Sequence, residues 1–419
     1  MKEKSLNYDV AVIGAGIVGA SAALWLQPDA GRVVLLDRGR PGAGTSYGNA
    51  CTIADYACIP INSPSVARRL PALLFSRDSP LRVDWWYALR NPGWQLAFLR
   101  NCHKNRVSTI SDHLGRLLTL TDAGLDPLIA RSDAHRWFAE RRGLVYIYTS
   151  ERGFEGAKAD TATRRRHGAE IVELSAAEFR ELEPGIRMPV HRALSFHKTR
   201  VVRDPQGLVQ AYVDRFVKDG GHFRQAGVTR VDPGDEAVTV NLDDGSRLTC
   251  GKLVVAAGAW SGSIAGTGAG DLPLDTERGY HILFRDHGHL VRHPVAWAEG
   301  GFYAVPMAQG LRLAGTVEIA GLDAPAKPDR IDYLRRRALQ MFGDIGEPDD
   351  TWLGFRPTFP DALPVIGPSH RSDRIIFAFG HQHIGLTTGG ATGKLVADLI
   401  ASRQPSIDLA PYSVRRFID

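Results

Sequence analysis

The chain has 419 residues, 44% hydrophobic and 23% charged, with 44 glycines and a formal charge of +5. This composition excludes a disordered chain, a collagen and a coiled coil, and at roughly 100–200 residues per domain it fits two or three domains. The basic excess is diluted along the chain, without the clustering or module that nucleic-acid binding needs, and leaves anionic substrates or an anionic membrane surface open.

Lys2 and Lys4 precede an uncharged run, 10–26, that has the look of a secretory signal. Asp9 at its head and three glycines at a meaningful spacing argue for a folded element instead. Residues 8–13 read as a buried parallel strand, 14–19 as a turn, 20–26 as a helix, and 32–36 as a second strand closed by Asp37. Residues 64–142 look mainly helical, with Trp85, Trp86, Trp94 and Trp137 spread through them. Helices are expected at 156–168, 175–182 and 207–218, the last stopped by Gly220-Gly221. From 227 the pattern turns to strands: 228–232, 237–242, a hairpin turn at Asp243-Asp244-Gly245, 246–250, then a separate buried strand at 252–256. Strands alternate with turns over 279–320, followed by a helix at 330–342, a strand at 375–379 and a closing helix at 389–402. No run reaches the ~18–20 apolar residues of a membrane span.

Parallel strands with helices at both ends, and antiparallel strands between, predict an α/β chain with a discontinuous Rossmann-like domain. An α+β substrate domain built on an antiparallel sheet would be inserted into it. The boundaries are 1–63, 190–270 and 350–419 for the first, 64–189 and 271–349 for the second.

The first unit carries a dinucleotide-binding pattern in its required context. Gly14 permits the tight turn, Gly16 lets backbone approach a pyrophosphate, and Gly19 lets helix pack on strand. Ile17 and Val18 in the same turn are cofactor-binding candidates with them, and the N-terminus of the helix that follows offers free N–H groups and a positive dipole end to phosphates. Asp37 can accept both ribose hydroxyls of an adenosine and would repel a 2′-phosphate; Arg38 beside it weakens that second argument. The four cysteines, at 51, 58, 102 and 250, form no Cys-x-x-Cys pair, so neither a zinc nor a disulfide pattern follows, and they fit a reducing compartment.

Other segments resemble the D-amino-acid oxidase superfamily of FAD enzymes, and within it the bacterial D-amino-acid dehydrogenases, over nearly the whole chain. They are 44–50 (GTSYGNA), 253–261 (LVVAAGAWS), 277–280 (ERGY), 315–318 (GTVE), 352–367 (WLGFRPTFPDALPVIG) and 380–387 (GHQHIGLT). The resemblance implies non-covalent FAD in the Rossmann-like domain. Thr45, Ser46, Asn49 and Ala50 are then expected along the pyrophosphate and flavin edge, the Val228 backbone at the adenine, and Ala257 and Gly258 under the dinucleotide. Gly380, His381, Gly385, Leu386 and Thr387 are expected around the pyrimidine side of the flavin, where N–H donors stabilise gathered negative charge. Cys51 departs from the small residue common in relatives; it is either an inert packing group or a redox-sensitive or flavin-linked thiol.

For the substrate the resemblance points to Arg356, since a guanidinium holds a carboxylate with two parallel bonds. Arg278, Tyr280, Tyr303 and His383 are further substrate candidates, against structural roles for each. Catalysis by positioning needs no obligatory protein base, so no catalytic acid or base is named, and no metal. The expected reaction is dehydrogenation of a D-amino acid, with a lean towards D-proline or cis-4-hydroxy-D-proline. Electrons would pass to a non-NAD acceptor such as a quinone or a redox partner subunit. The alternatives are an O2-using glycine- or sarcosine-type oxidase, or a flavin subunit of an electron-transfer complex; the chain has no iron–sulfur ligand pattern. The expected location is cytoplasmic. Residues 66–100 interleave Leu73, Leu74, Phe75, Trp85, Trp86, Tyr87, Trp94 and Phe98 with Arg68, Arg69, Arg77, Arg82, Arg90 and Arg100. That mixture suits peripheral contact with the inner face of a membrane, or helices packing their tryptophans into the substrate domain.

Overall fold

The computed structural model describes residues 6–76 and 78–418, so Lys2, Lys4 and Arg77 lie outside it. Leu6–Ile13 forms β1, Ile17–Leu26 forms α1 and Val33–Asp37 forms β2. Val10–Ile13 lie parallel to Val33–Leu36. The helix begins three residues earlier than its apolar run suggests, because Gly16 already provides its extended N-cap. Ala20, Ala22, Ala23, Leu24 and Leu26 are buried around nearly the whole of α1, as a helix covered on two sides requires. One cover is the sheet. The other is the C-terminal helix, Gly385–Ile400, which approaches so closely at Gly393 that an added Cβ would stand 2.7 Å from the Ser21 carbonyl carbon.

Arg247–Val255 (β3) completes the centre of this sheet, which has eight strands among the described residues. It replaces the two strands expected at 246–250 and 252–256. Its partner β1 pairs on both sides of Gly251, Tyr8 with Cys250 and Val10 with Lys252, so the ladder continues through the glycine. On its other edge β3 pairs first with Val238–Leu242, antiparallel, and then with Ile375–Phe379, parallel. The predicted turn at Gly245 is present, with φ +82°.

The second sheet has nine strands among the described residues. Its core is Asp275–Phe284 (β4), Phe302–Met307 (β5), Gly310–Ile319 (β6) and Asp350–Thr358 (β7). β4 lies antiparallel between β6 and β7, with Glu277 opposite Arg356 and Gly279 opposite Gly354. The helix Pro328–Phe342 buries Tyr333, Leu334 and Met341 in the same cluster as Tyr280 and Ile282. Three segments sit apart from the division drawn from sequence. Arg192–Ser195 and β7 hydrogen-bond into this second sheet. The helix Thr121–Ser132 packs Leu125, Leu128 and Ile129 with α1. Short strands and single helices carry too little local signal to say which sheet they join.

Within 66–100, Trp85–Arg90 forms α2 and Pro92–Asn101 forms α3. Trp94 is buried and stacks on Phe98 at 5.3 Å. Trp85 and Trp86 are not packed inward: they are 53% and 75% exposed, beside exposed Leu89, Leu96 and Leu99. Glu151–Arg166 is α4, capped at Ser150 by the Gly153 N–H. No helix among the described residues is long and apolar enough to cross a membrane.

Candidate functional site

A single cavity of about 780 Å3 runs from the glycine turn after β1 to the strands of the second sheet. At its first end Gly14 turns the chain with φ +104° and donates its N–H to Leu36 O at 2.7 Å. Asp37, at the end of β2, accepts from Ala15 N at 2.7 Å and from Gly39 N at 2.8 Å, which locks turn and strand together. Each carboxylate oxygen keeps acceptor capacity for a hydroxyl in the cavity. Gly19 stands behind the wall; an added Cβ there would lie 1.8 Å from Gly14 O, which accounts for helix–strand contact. Ser46 Oγ accepts from Ile17 N at 2.9 Å, bringing the 44–50 loop onto the helix N-terminus. Val18, Arg38, Val228, Ala257 and Gly258 line the same end, with the Arg38 guanidinium 4.2 Å over the Trp260 ring.

These residues fit the expected FAD. The donor set is backbone N–H at a helix start plus one carboxylate, the chemistry of a pyrophosphate and a ribose. The wall is also cut back: at Gly44 and Gly258 an added Cβ would meet nothing within 4 Å. Further along, Thr45 Oγ1 donates to Phe355 O at 2.7 Å and Asn49 Nδ2 to Ser46 O at 2.7 Å, so the loop holding Ala50 is fixed from both sides. Cys51 follows in a left-handed conformation, φ +63°. Its Sγ lies 3.1 Å from Met307 Sδ and 3.7 Å from Arg312 Nη1. Burial pushes the thiol up to about 11, so it is a neutral group at physiological pH. Arg312, fully buried, donates to Tyr47 O at 2.8 Å and pins this loop from β6.

The far end is built by the pleat of β4 and β7. Glu277 and Gly279 face the cavity, opposite Arg356 and Gly354. Arg278 and Tyr280, expected at the substrate, face the other way, because successive strand residues point to opposite sides. Arg278 lies 3.3 Å from Glu318, both fully buried, and Tyr280 Oη donates to Glu318 at 2.7 Å. They brace the sheet behind the site.

Arg356 lines the cavity and donates from Nη1 to Thr316 O at 3.1 Å. Thr316 holds that carbonyl in place with φ +60°, a costly conformation for a β-branched residue. The guanidinium lies flat over Gly279, whose added Cβ would be 2.1 Å from Nη2. Burial lowers the Arg356 pKa, opposed by Glu277 and Tyr303, but a guanidinium stays charged. Glu277 is 6% exposed, and burial pushes its carboxyl up to about 7, with Arg356 holding it down and Asp275 adding to the rise.

Tyr303, on β5, shares a 2.5 Å hydrogen bond with Tyr146 Oη. Arg164, on α4, lines the cavity beside them, its guanidinium 5.5 Å over the Tyr146 ring. His383 projects its ring into the cavity; depth below the surface, then Arg356 and Arg164, lower it to about 4, so the imidazole is neutral. His381 is neutral too, lowered by burial to about 3 and hydrogen-bonded to Thr392 at 2.9 Å. Gly385 and Leu386 line the cavity at the first turn of the C-terminal helix, which starts four residues before the position read from sequence. Gly380 and Thr387 stand behind the wall: Gly380 packs on Phe359, and Thr387 Oγ1 accepts from Ala54 N at 2.8 Å.

Sequence reasoning missed Glu277, Arg164 and Tyr146. Glu277 had a signal, an acid within a buried strand and inside the quoted 277–280 segment. Arg164 had none, since its helix reads as a polar surface helix until it packs over the sheet.

Residues 9–399 match the family described as FAD dependent oxidoreductase. The chain is 34% identical to a D-amino-acid oxidase of Bradyrhizobium diazoefficiens, over 98% of this chain and 99% of that one. It is 28% identical to D-amino acid dehydrogenase 2 of Ralstonia nicotianae, over 97% and 100% of the two chains. Among solved structures, glycine oxidase from Geobacillus kaustophilus superposes with a TM-score of 0.75 at 23% identity, over 99% and 100% of the two chains.

Proposed function

This chain belongs to the FAD dependent oxidoreductase family, and from that premise we propose that it dehydrogenates a D-amino acid at the Cα–N bond. FAD supplies the two-electron oxidation, as acceptor of the α-hydrogen with its electron pair. The observation that carries the proposal is Arg356, a half-buried guanidinium facing the same cavity as the glycine turn and the 44–50 loop. Its free donors take the substrate carboxylate, and the Thr316 carbonyl fixes the plane of the fork. Tyr303 and His383, which line the same end of the cavity, are neutral and add no charge of their own. The D-hand draws on the names of the relatives, a D-amino-acid oxidase and a D-amino acid dehydrogenase. Within that class we favour D-proline or cis-4-hydroxy-D-proline, whose rings suit the aromatic wall of Tyr146 and Tyr303. The two sheets would then correspond to a FAD-binding and a substrate domain.

Electrons pass onward to an acceptor other than NAD, a quinone or a redox partner subunit, in a cytoplasmic protein docked on the inner face of the membrane. The face of α2 and α3 supports that docking: exposed Trp85, Trp86, Leu89, Leu96 and Leu99 lie beside exposed Arg90 and Arg100. The protein is expected to sediment with vesicles containing anionic lipid, and Trp85→Ala/Trp86→Ala should abolish this. Equal sedimentation of the double variant would place the contact elsewhere. A second reading, direct use of O2, is favoured by the name of the Bradyrhizobium relative. The test of the function is anaerobic bleaching of the bound flavin by paired D- and L-amino acids. Stoichiometric peroxide on admitting air would assign the oxidase.

A further inference from the structure

We propose that Glu277 binds the amino group of the substrate and accepts its proton. The proposal rests on the amino-acid reading above and adds to it the residue that readies the substrate nitrogen.

Glu277 and Arg356 occupy opposed positions on β4 and β7 and face one cavity. Opposed side chains on neighbouring strands lie close enough to grip two groups borne on one carbon. The two charges do not satisfy each other. Among the described residues no hydrogen bond or ion pair closes on the Glu277 carboxylate, although it is nine-tenths buried. Among the described residues Arg356 donates only to the Thr316 carbonyl, leaving donors for a ligand. A buried carboxylate without a partner is costly, and it persists where a ligand completes it. An amino acid is that ligand. Its carboxylate meets Arg356 and its ammonium, or secondary ammonium, meets Glu277.

The same contact does chemistry. An ammonium has no lone pair, so its α-hydrogen cannot leave with its electrons. Glu277 takes one N–H proton as the N–H bond breaks and an O–H bond forms, leaving a neutral amine and a carboxylic acid. Bound FAD would supply the two-electron oxidation by taking the Cα–H hydride, and the nitrogen lone pair would become the second bond of C=N. Proton and hydride balance: one proton on Glu277, one hydride with the cofactor, and the amino acid oxidised to its iminium, which would become the imine on giving a further proton to water.

Groups around Glu277 set the pH at which it works. Arg356 on β7 lowers its affinity for a proton, and Asp275 on its own strand raises it. Asp275 is itself held by Tyr87 at 2.7 Å. Tyr303 on β5 and His383 before the C-terminal helix face Arg356 across the cavity and are neutral. Burial dominates, and the carboxyl sits at about 7. It is therefore ready both to take a proton and to return it.

The test uses the holoenzyme with Glu277→Gln, which keeps shape and removes the base, and with Glu277→Asp, which keeps a carboxylate if the first variant fails to hold FAD. Flavin reduction by D-proline is followed anaerobically against pH. Wild type should show an acid limb near 7. Glu277→Gln should be slower at neutral pH by about 10²–10⁴, with the limb displaced to the amine's own range and the deficit shrinking as pH rises. Glu277→Asp should be slower but keep the wild-type limb. A readout free of turnover is binding of tetrahydro-2-furoate, whose ring oxygen replaces the N–H, monitored by the flavin spectrum. Wild-type affinity should fall about tenfold per pH unit above the Glu277 pKa, since an ether oxygen needs the protonated acid. Glu277→Gln should bind it independently of pH. Glu277→Gln with the wild-type pH profile, or slowed equally at every pH, would overturn the proposal and leave Glu277 a countercharge to Arg356. If no amino acid bleaches the wild-type flavin, the functional reading fails instead.

Discussion

Arg356→Ala is expected to remove most amino-acid oxidation while FAD stays bound. The guanidinium is the cavity's carboxylate anchor, and its loss leaves the substrate carboxylate buried and unpaired. Truncating one partner of such a pair costs about 2–5 kcal/mol, roughly thirty-fold to several-thousand-fold in apparent affinity. The loss is deepened because Arg356 also holds the Glu277 carboxyl down. Arg356→Lys should rescue poorly, since an ammonium reproduces neither the two-pronged grip nor the bond to Thr316 O with the same plane. The informative comparison is flavin reduction by a D-amino acid against its amide. Wild type should strongly prefer the acid, and Arg356→Ala should lose that preference. An unchanged acid-over-amide ratio would make Arg356 structural and move the substrate elsewhere.

Gly14→Ala is expected to yield protein nearly free of FAD. At φ +104° an alanine is strained, and its Cβ would meet Ala256 O at 2.4 Å and Ala256 C at 2.7 Å. Both obstacles are backbone of the strand end beside β1, so neither can swing aside. Strain of this kind costs about 1–3 kcal/mol before any clash, and the Ala15 N–H bond to Asp37 is disturbed with it. Gly16→Ala is the contrast: an added Cβ there meets only Ser46 Oγ, at 3.3 Å. That variant should keep close to wild-type thermal stability without cofactor yet bind FAD more weakly, because the one protein atom it presses is the end of a small side chain and the rest of the intrusion falls on the ligand. The check is flavin content and the melting temperature of the apo forms. Equal FAD retention in Gly14→Ala and wild type would contradict the placement of the dinucleotide on this turn.

The first sheet was readable where its signals are local. A β-rich run, a Gly-x-Gly-x-x-Gly turn, an apolar helix and an acid at the next strand end follow one another within 37 residues, and each is dictated by neighbours in sequence. Readability fell where tertiary contact decides. On β4 every residue from Thr276 to Phe284 is buried, so alternation does not say which side is core and which is cavity. The resemblance of the 277–280 segment points to Arg278 and Tyr280, and nothing in the pattern corrects it towards Glu277 and Gly279. The same blindness hid Arg164, whose role depends on where α4 packs. It also left Trp85 and Trp86 open between burial and solvent, since tryptophan suits both. Over 246–256 a glycine suggests a break between two strands, yet the β1 ladder passes through it.

The most direct measurement of the central claim is the visible spectrum of the anaerobic holoenzyme titrated with D-proline, L-proline and matched D/L pairs of other amino acids. The account predicts that the oxidised flavin bands bleach with at least one D-amino acid, that its L-enantiomer leaves them largely unchanged, and that reoxidation proceeds faster with a quinone or dye than with air. A flavin reduced by no amino acid, or reduced equally by both enantiomers of every pair, would contradict it.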